Sequence, residues 1–178
     1  MGLFDNIKSA ASGGQSSKDV VFSRLPNTLE EFKALPQASL TDPFDTAALT
    51  VLALCFYPQD KDLSLQMVDY LKGPKPLSAY DKQFIADRFV DQDYIPRSYF
   101  KGTSPANDYT PSEPYTVTVK AGPYAYQDDG YAKLDLVSSG ADSPRQIQLR
   151  KAKDGKWYLW EQFVLVGIRK AEGENPWA

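Results

Sequence analysis

Apolar residues follow a helical period in the first half of this chain and a strand period in the second. Phe44 to Tyr57 is apolar on nearly all sides, as in a helix buried within a core. Asp42 is placed to cap it, and Pro43 takes the first helical position, where its missing N–H costs nothing. Pro58 ends it. Asp62 to Lys72 puts Leu63, Met67 and Leu71 on one stripe, and Gly73-Pro74 stops that helix. Ser78, with Asp81 three residues on, opens a third helix from Ala79 to Val90, which presents Tyr80, Phe84, Ile85 and Phe89 to the core. Upstream, Thr28-Leu29-Glu30-Glu31 has the form of a capping box, and its short helix ends before Pro36. Val20-Val21-Phe22 suits a short strand.

After residue 114 the period drops to two. Residues 115–120, 131–137 and 145–151 alternate apolar and polar, separated by turn signals, which predicts an antiparallel meander. Tyr115, Val117, Val119, Leu134, Leu136, Ile147 and Leu149 form the inward set. Thr116, Thr118, Lys120, Lys133, Asp135, Gln146, Gln148 and Arg150 form the outward set. The stretch 156–166 is apolar in both alternating sets, so it is expected as a central strand, paired on both edges and covered on both faces. A two-residue Asp154-Gly155 turn would set Leu149 opposite Trp160 and Gln148 opposite Glu161. Trp160 would then enter the core, and Trp157, Leu159 and Phe163 would share the polar face.

Between the halves, residues 91–114 have no period and many prolines, yet contain Tyr94, Tyr99, Phe100 and Tyr109. Disordered linkers are poor in aromatics, so an ordered loop wrapped on the domain is expected. Residues 1–19 combine Leu3, Phe4, Ile7 and Ala10 at helical spacing with a Ser12–Ser17 stretch of linker composition. Both a short amphipathic anchor and a frayed terminus fit. The N-terminal myristoylation motif fails at Asn6. The expected organisation is a flexible tail over 1–19 and one α+β domain over 20–178, with N-terminal helices on one face of an antiparallel, mostly C-terminal sheet.

Charge and composition then narrow the function. The chain has 178 residues and a net charge of -3, without the basic balance of a nucleic-acid binder. Its longest apolar run, residues 47–57, is too short to cross a bilayer, and no signal-peptide pattern is present, so a cytoplasmic protein is expected. There is no histidine, and Cys55 is the one cysteine. That removes Ser-His-Asp and Cys-His catalysis, Cys/His metal sites and intramolecular disulfides. Cys55 lies in the apolar run and reads as a small buried hydrophobe.

Few motifs survive inspection. Ser98-Tyr99-Phe100-Lys101 spells S-x-x-K, but Pro96 precedes it and the partner motifs are missing. Asp60 to Leu71 starts like a calcium loop and then places leucines where glycine and glutamate are needed. Asp91, Asp93, Asp128, Asp129 and Glu161 could supply paired carboxylates, although nothing in their spacing fixes a pair. No metal or cofactor is expected. The polar sheet face could be a recognition surface or an ordinary solvated face. As a recognition surface it would use Trp157, Gln148, Arg150, Glu161, Thr116, Thr118 and Lys133, with Tyr99 and Tyr109 from the long loop.

Leu25-Pro26-Asn27-Thr28-Leu29-Glu30-Glu31-Phe32, residues 73–78, residues 109–115 and Lys156-Trp157-Tyr158-Leu159-Trp160-Glu161 resemble a family of small uncharacterised bacterial proteins carrying a domain of unknown function. The resemblance covers roughly residues 20–178 and implies a stand-alone bacterial domain, with no activity attached. Asp154-Gly155-Lys156-Trp157 also resembles the final hairpin of the NTF2-like fold, which implies three helices packed on a curved sheet as a cone. Two functions stay open. One is a non-enzymatic module that binds a protein or small molecule through the sheet face and the 91–114 loop, as a monomer or a homodimer. The other is a ligand pocket or carboxylate enzyme in an NTF2-like cone.

Overall fold

The computed structural model describes residues 16–177. The tail pattern at Leu3, Phe4, Ile7 and Ala10 lies outside the described residues. Five strands form one antiparallel sheet in sequential order: β1 (Ser16–Phe22), β2 (Tyr115–Ala121), β3 (Tyr131–Leu136), β4 (Arg145–Lys151) and β5 (Trp157–Gln162). Among the described residues four α-helices precede β2: α1 (Leu29–Lys33), α2 (Pro43–Cys55), α3 (Lys61–Lys72) and α4 (Ala79–Phe89). The fold is therefore α+β. The first strand begins earlier than its apolar core suggests, because Ser16 to Asp19 pair with Thr118 to Ala121 and belong to the sheet rather than the tail.

Local signals place the helices. Asp42 accepts from the Phe44 amide at 2.9 Å, and Ser78 and Asp81 cap each other reciprocally at the start of α4. At α1 the Thr28 hydroxyl accepts from the Glu31 amide, while the Glu31 carboxylate reaches one residue further back, to the Asn27 amide. The apolar helix α2 crosses the sheet and touches all five strands, which is why it is buried nearly all round. Val117, Val119, Leu134, Leu136, Ile147 and Leu149 meet it as fully buried residues. Tyr80 departs from expectation: it is 78% exposed, and Ile85 and Phe89 carry the buried face of α4. Cys55 keeps some exposed surface at the end of α2, but enclosure of the thiol pushes its pKa up to about 12, leaving little thiolate at neutral pH.

The C-terminal hairpin departs most. β5 is an edge strand paired with β4 alone, not a central one. Its turn has three residues, not two. The Ala152 amide donates to the Lys156 carbonyl, the Gly155 amide donates back to the Ala152 carbonyl, and Gly155 adopts φ +83°. A three-residue loop with glycine in the left-handed position is a standard hairpin closure. The extra residue slips the register by one, and a slip of one exchanges the faces of a strand. Leu149 therefore pairs with Leu159, which is 3% exposed and enters the core. Gln148 still pairs with Glu161, so Trp160 is a bulged residue without a partner across the ladder. Trp160 lies on the outer face, and Trp157 turns to the helix side, the reverse of the sequence expectation.

Apolar residues on both sides of β5 are explained by its edge. The Trp157 amide donates to the Leu40 carbonyl at 2.7 Å, the Thr46 hydroxyl donates to the Trp157 carbonyl, and the Lys72 ammonium donates to the Trp160 carbonyl at 3.2 Å. Contacts from the helical layer thus occupy outward backbone groups that an exposed edge would offer to another chain.

Residues 91–114 are packed, as their aromatic content suggests. Phe100 bridges to Val117 where β3 no longer accompanies β2. Tyr99 and Tyr109 are buried, and their hydroxyls donate to the carbonyls of Val164 and Arg169. They tie the segment after β5 to the body and are not available at the surface.

Two outcomes follow from this packing. Leu159→Ala should cost ~2–5 kcal/mol in denaturant unfolding, whereas Phe163→Ala, at a 45% exposed position, should cost about 1 kcal/mol or less. Equal losses would restore the two-residue turn. Burial also raises Tyr94, Tyr99 and Tyr109 above the ordinary tyrosine value of 10.0. Below 10.0 both folded and unfolded chains hold these protons, so the full contribution is present. Above it the unfolded chain releases them first, and stability should fall with rising pH. Unfolding midpoints between about pH 8 and about pH 11 should show this fall, with a shallower slope in Tyr99→Phe.

Candidate functional site

The outer sheet face divides into two separate groups of side chains. Near β1, Asp19 accepts from the Thr118 hydroxyl at 2.8 Å and pairs with Lys101 at 2.6 Å. At the other end, cross-strand rows run Tyr131–Arg150–Tyr158 and Lys133–Gln148–Glu161. Of the residues expected to form one surface, Gln148, Arg150, Glu161 and Lys133 are brought together, and Lys133 also pairs with Asp128 at 3.1 Å. Thr118 belongs to the β1 group. Thr116 is buried and donates to the Pro114 carbonyl. Trp157 lies across the sheet, edge-to-face with Tyr126. With Tyr99 and Tyr109 buried, the long loop adds neither ring to the surface. Asp91 holds a left-handed turn conformation, and Asp128 serves Lys133, so neither is part of a carboxylate pair facing the cleft described next.

That cleft, of about 420 Å³, opens where the β4–β5 hairpin meets the turn between α3 and α4. Lys72, Lys75, Arg150, Lys151 and Lys153 line it with Tyr158 and Trp160, and no carboxylate does. Among the described residues none of the five cations forms a salt bridge. Trp160 is the centre. The Lys75 ammonium and the Arg150 guanidinium each lie 4.6 Å from its ring centroid, and Tyr131 meets it edge-on at 6.0 Å. Arg150 also lies 5.3 Å from the Tyr131 ring. Cation–π contacts of this kind hold a guanidinium by its face and leave its N–H edge for a planar anion.

Lys72 forms the back of the cleft. It ends α3, where a cation suits the helix C-terminus, and it is only 8% exposed. Burial pushes its pKa below the ordinary lysine value, and neighbouring Lys75 adds to this, against Asp81, Glu161 and Asp69. Its ammonium is part-buried and bonded to one carbonyl, which leaves donors free to meet an anion in the cleft.

The turn that carries Lys75 is built to keep its place. Gly73 takes φ +60° and ψ -121°, a conformation reserved for glycine, and its amide closes the end of α3 on the Asp69 carbonyl. The Asp69 carboxylate then accepts from the Leu77 amide at 2.8 Å. Across the cleft the Tyr158 hydroxyl donates to Asp154 at 2.6 Å. That bond raises the phenol to about 12 and lowers the carboxyl. Sequence reasoning missed Lys72, Lys75, Tyr131 and Trp160. The available signal was the density of cations beside two separate turns, at 72–75 and 150–153.

A family model described as Domain of unknown function (DUF6935) matches residues 24–172. The chain belongs to this family. The matched region holds all four helices and β2 to β5, hence both walls of the cleft, while β1 precedes it. No curated protein and no solved structure matches the chain. The likeness to the NTF2-like fold therefore gains no support.

Gly73→Ala tests how the cleft is held. A Cβ there would stand 2.3 Å from the Tyr158 ring, in addition to the backbone strain. The substitution should destabilise the protein by ~1–3 kcal/mol or more in urea unfolding. An unchanged midpoint would show that Tyr158 does not pack against this turn.

Proposed function

We propose that this domain is a non-catalytic binding module whose recognition site is the cleft around Trp160, and that its ligands carry clustered negative charge. The observation that carries this reading is the segregation of charge. A chain of net charge -3 lines one cleft with five cations, two of them on the Trp160 ring, with no carboxylate in the lining. Keeping like charges together costs stability, and that cost is offset when an anion binds. Lys72 sharpens the case, because its part-buried ammonium lines the cleft with one carbonyl as its hydrogen-bond partner and has donors left for an anion.

The cleft lies at the β5 edge, between the β4–β5 hairpin and the α3–α4 turn, so the proposed surface takes in Arg150 and Trp160 of the outer face and not the rest of that face or the tyrosines of the 91–114 loop. No helix among the described residues is long and apolar enough to cross a membrane. A cytoplasmic place of action is part of this proposal, since the lone Cys55 needs no oxidising compartment.

Inorganic pyrophosphate is a suitable probe. Calorimetric titration at low ionic strength should show saturable binding that weakens as salt is added. The double charge reversal Lys75→Glu, Arg150→Glu should weaken it at least tenfold. The proposal fails if pyrophosphate does not bind, or if it binds the double variant equally well.

A further inference from the structure

A second depression adjoins the cationic cleft. It is a groove of about 220 Å³ between α4 and β5, with Leu77, Tyr80, Phe84, Ile85 and Phe163 as its apolar lining. Lys72, Leu159 and Trp160 line both depressions and form their common wall. The rims of the groove expose large rings to water: Tyr80 on α4, and Phe163 just after β5. Isolated exposed apolar residues need no explanation, but two exposed rings lining one groove form a patch that favours an apolar ligand.

The charges of the two depressions are opposed. Beyond the shared Lys72, the charged residues of the groove are Asp81 and Glu161, whereas the cleft has five cations and no acid. A ligand spanning both would therefore be polarised, with acidic groups at the hairpin end and uncharged apolar groups at the α4 end. The span is set by β5. From Tyr158 to Phe163 an extended strand covers about 17 Å, roughly the length of five residues of extended peptide. The Trp157 amide and carbonyl and the Trp160 carbonyl are already bonded to Leu40, Thr46 and Lys72, which interrupts the edge for strand addition and favours recognition by side chains.

Resting on the anion-binding reading above, we infer that the occupant is a protein segment in which acidic residues stand next to aromatic or aliphatic ones. The acids enter the cleft around Trp160, and the apolar side chains enter the groove between α4 and β5. Lys72 meets the segment where the two kinds of residue join.

Fluorescence anisotropy on the full chain tests this with labelled peptides. Two probes join three glutamates through glycine to Leu-Phe-Leu, one in each order. A third replaces Leu-Phe-Leu with three serines. At least one of the first two should bind tenfold or more tighter than the serine peptide. Tyr80→Ser combined with Phe163→Ser should abolish that difference while the variant keeps its circular dichroism spectrum, both positions being exposed. If the wild-type protein binds pyrophosphate but holds all three peptides alike, the anion site stands and the peptide inference is overturned. If dodecanoate binds tighter than every peptide and depends on the same two rings, the groove takes a lipid-like anion and the inference is again overturned. Loss of pyrophosphate binding itself would instead remove the reading on which it rests.

Discussion

Gly155 at φ +83° closes the last hairpin with one more residue than a minimal turn, and much of the C-terminal half depends on that residue. The slip it causes puts Leu159 under α2 and sends Trp160 outward. The bulge at Trp160 then restores the original register, so Gln148 still faces Glu161. A bulge in an edge strand bends it and re-aims one side chain. Here the re-aimed side chain is the ring on which Lys75 and Arg150 converge. Core and cleft are thus two consequences of one backbone arrangement.

The helical layer takes part in the same arrangement. An edge strand must have its outward amides and carbonyls satisfied or shielded, and β5 receives a carbonyl from Leu40, a hydroxyl from Thr46 and an ammonium from Lys72. The first two are neutral and inexpensive. The third brings a charge into a part-buried position with no salt bridge among the described residues, where a neutral donor would close the edge at lower cost. A stability cost at a cleft wall is a common mark of a site kept for binding.

Features written in local signals were legible in the sequence. Asp42, Ser78 and Asp81 cap helices because capping needs only neighbouring amides. Val117, Val119, Leu134, Leu136, Ile147 and Leu149 face inward because the pleat alternates whatever lies across it. The turn at 153–155 was not legible. Two-residue and three-residue closures both put glycine at Gly155, and the choice is decided by which of Leu159 and Trp160 fits beneath α2, a contact distant in sequence. Aromatic density showed that 91–114 is packed, but not that Tyr99 and Tyr109 would end on the carbonyls of Val164 and Arg169. The cleft joins residues 72–75 to residues 150–160, and neither segment signals the other before the sheet edge meets α3.

Trp160 is a bulged, outward residue between two registers of one strand. Cross-strand nuclear Overhauser effects on labelled protein test it directly. Backbone contacts are expected between Leu149 and Leu159 and between Gln148 and Glu161, with the Trp160 indole close to Arg150 and Lys75 and far from α2. Backbone contacts between Leu149 and Trp160, with the indole against the residues of α2, would contradict it.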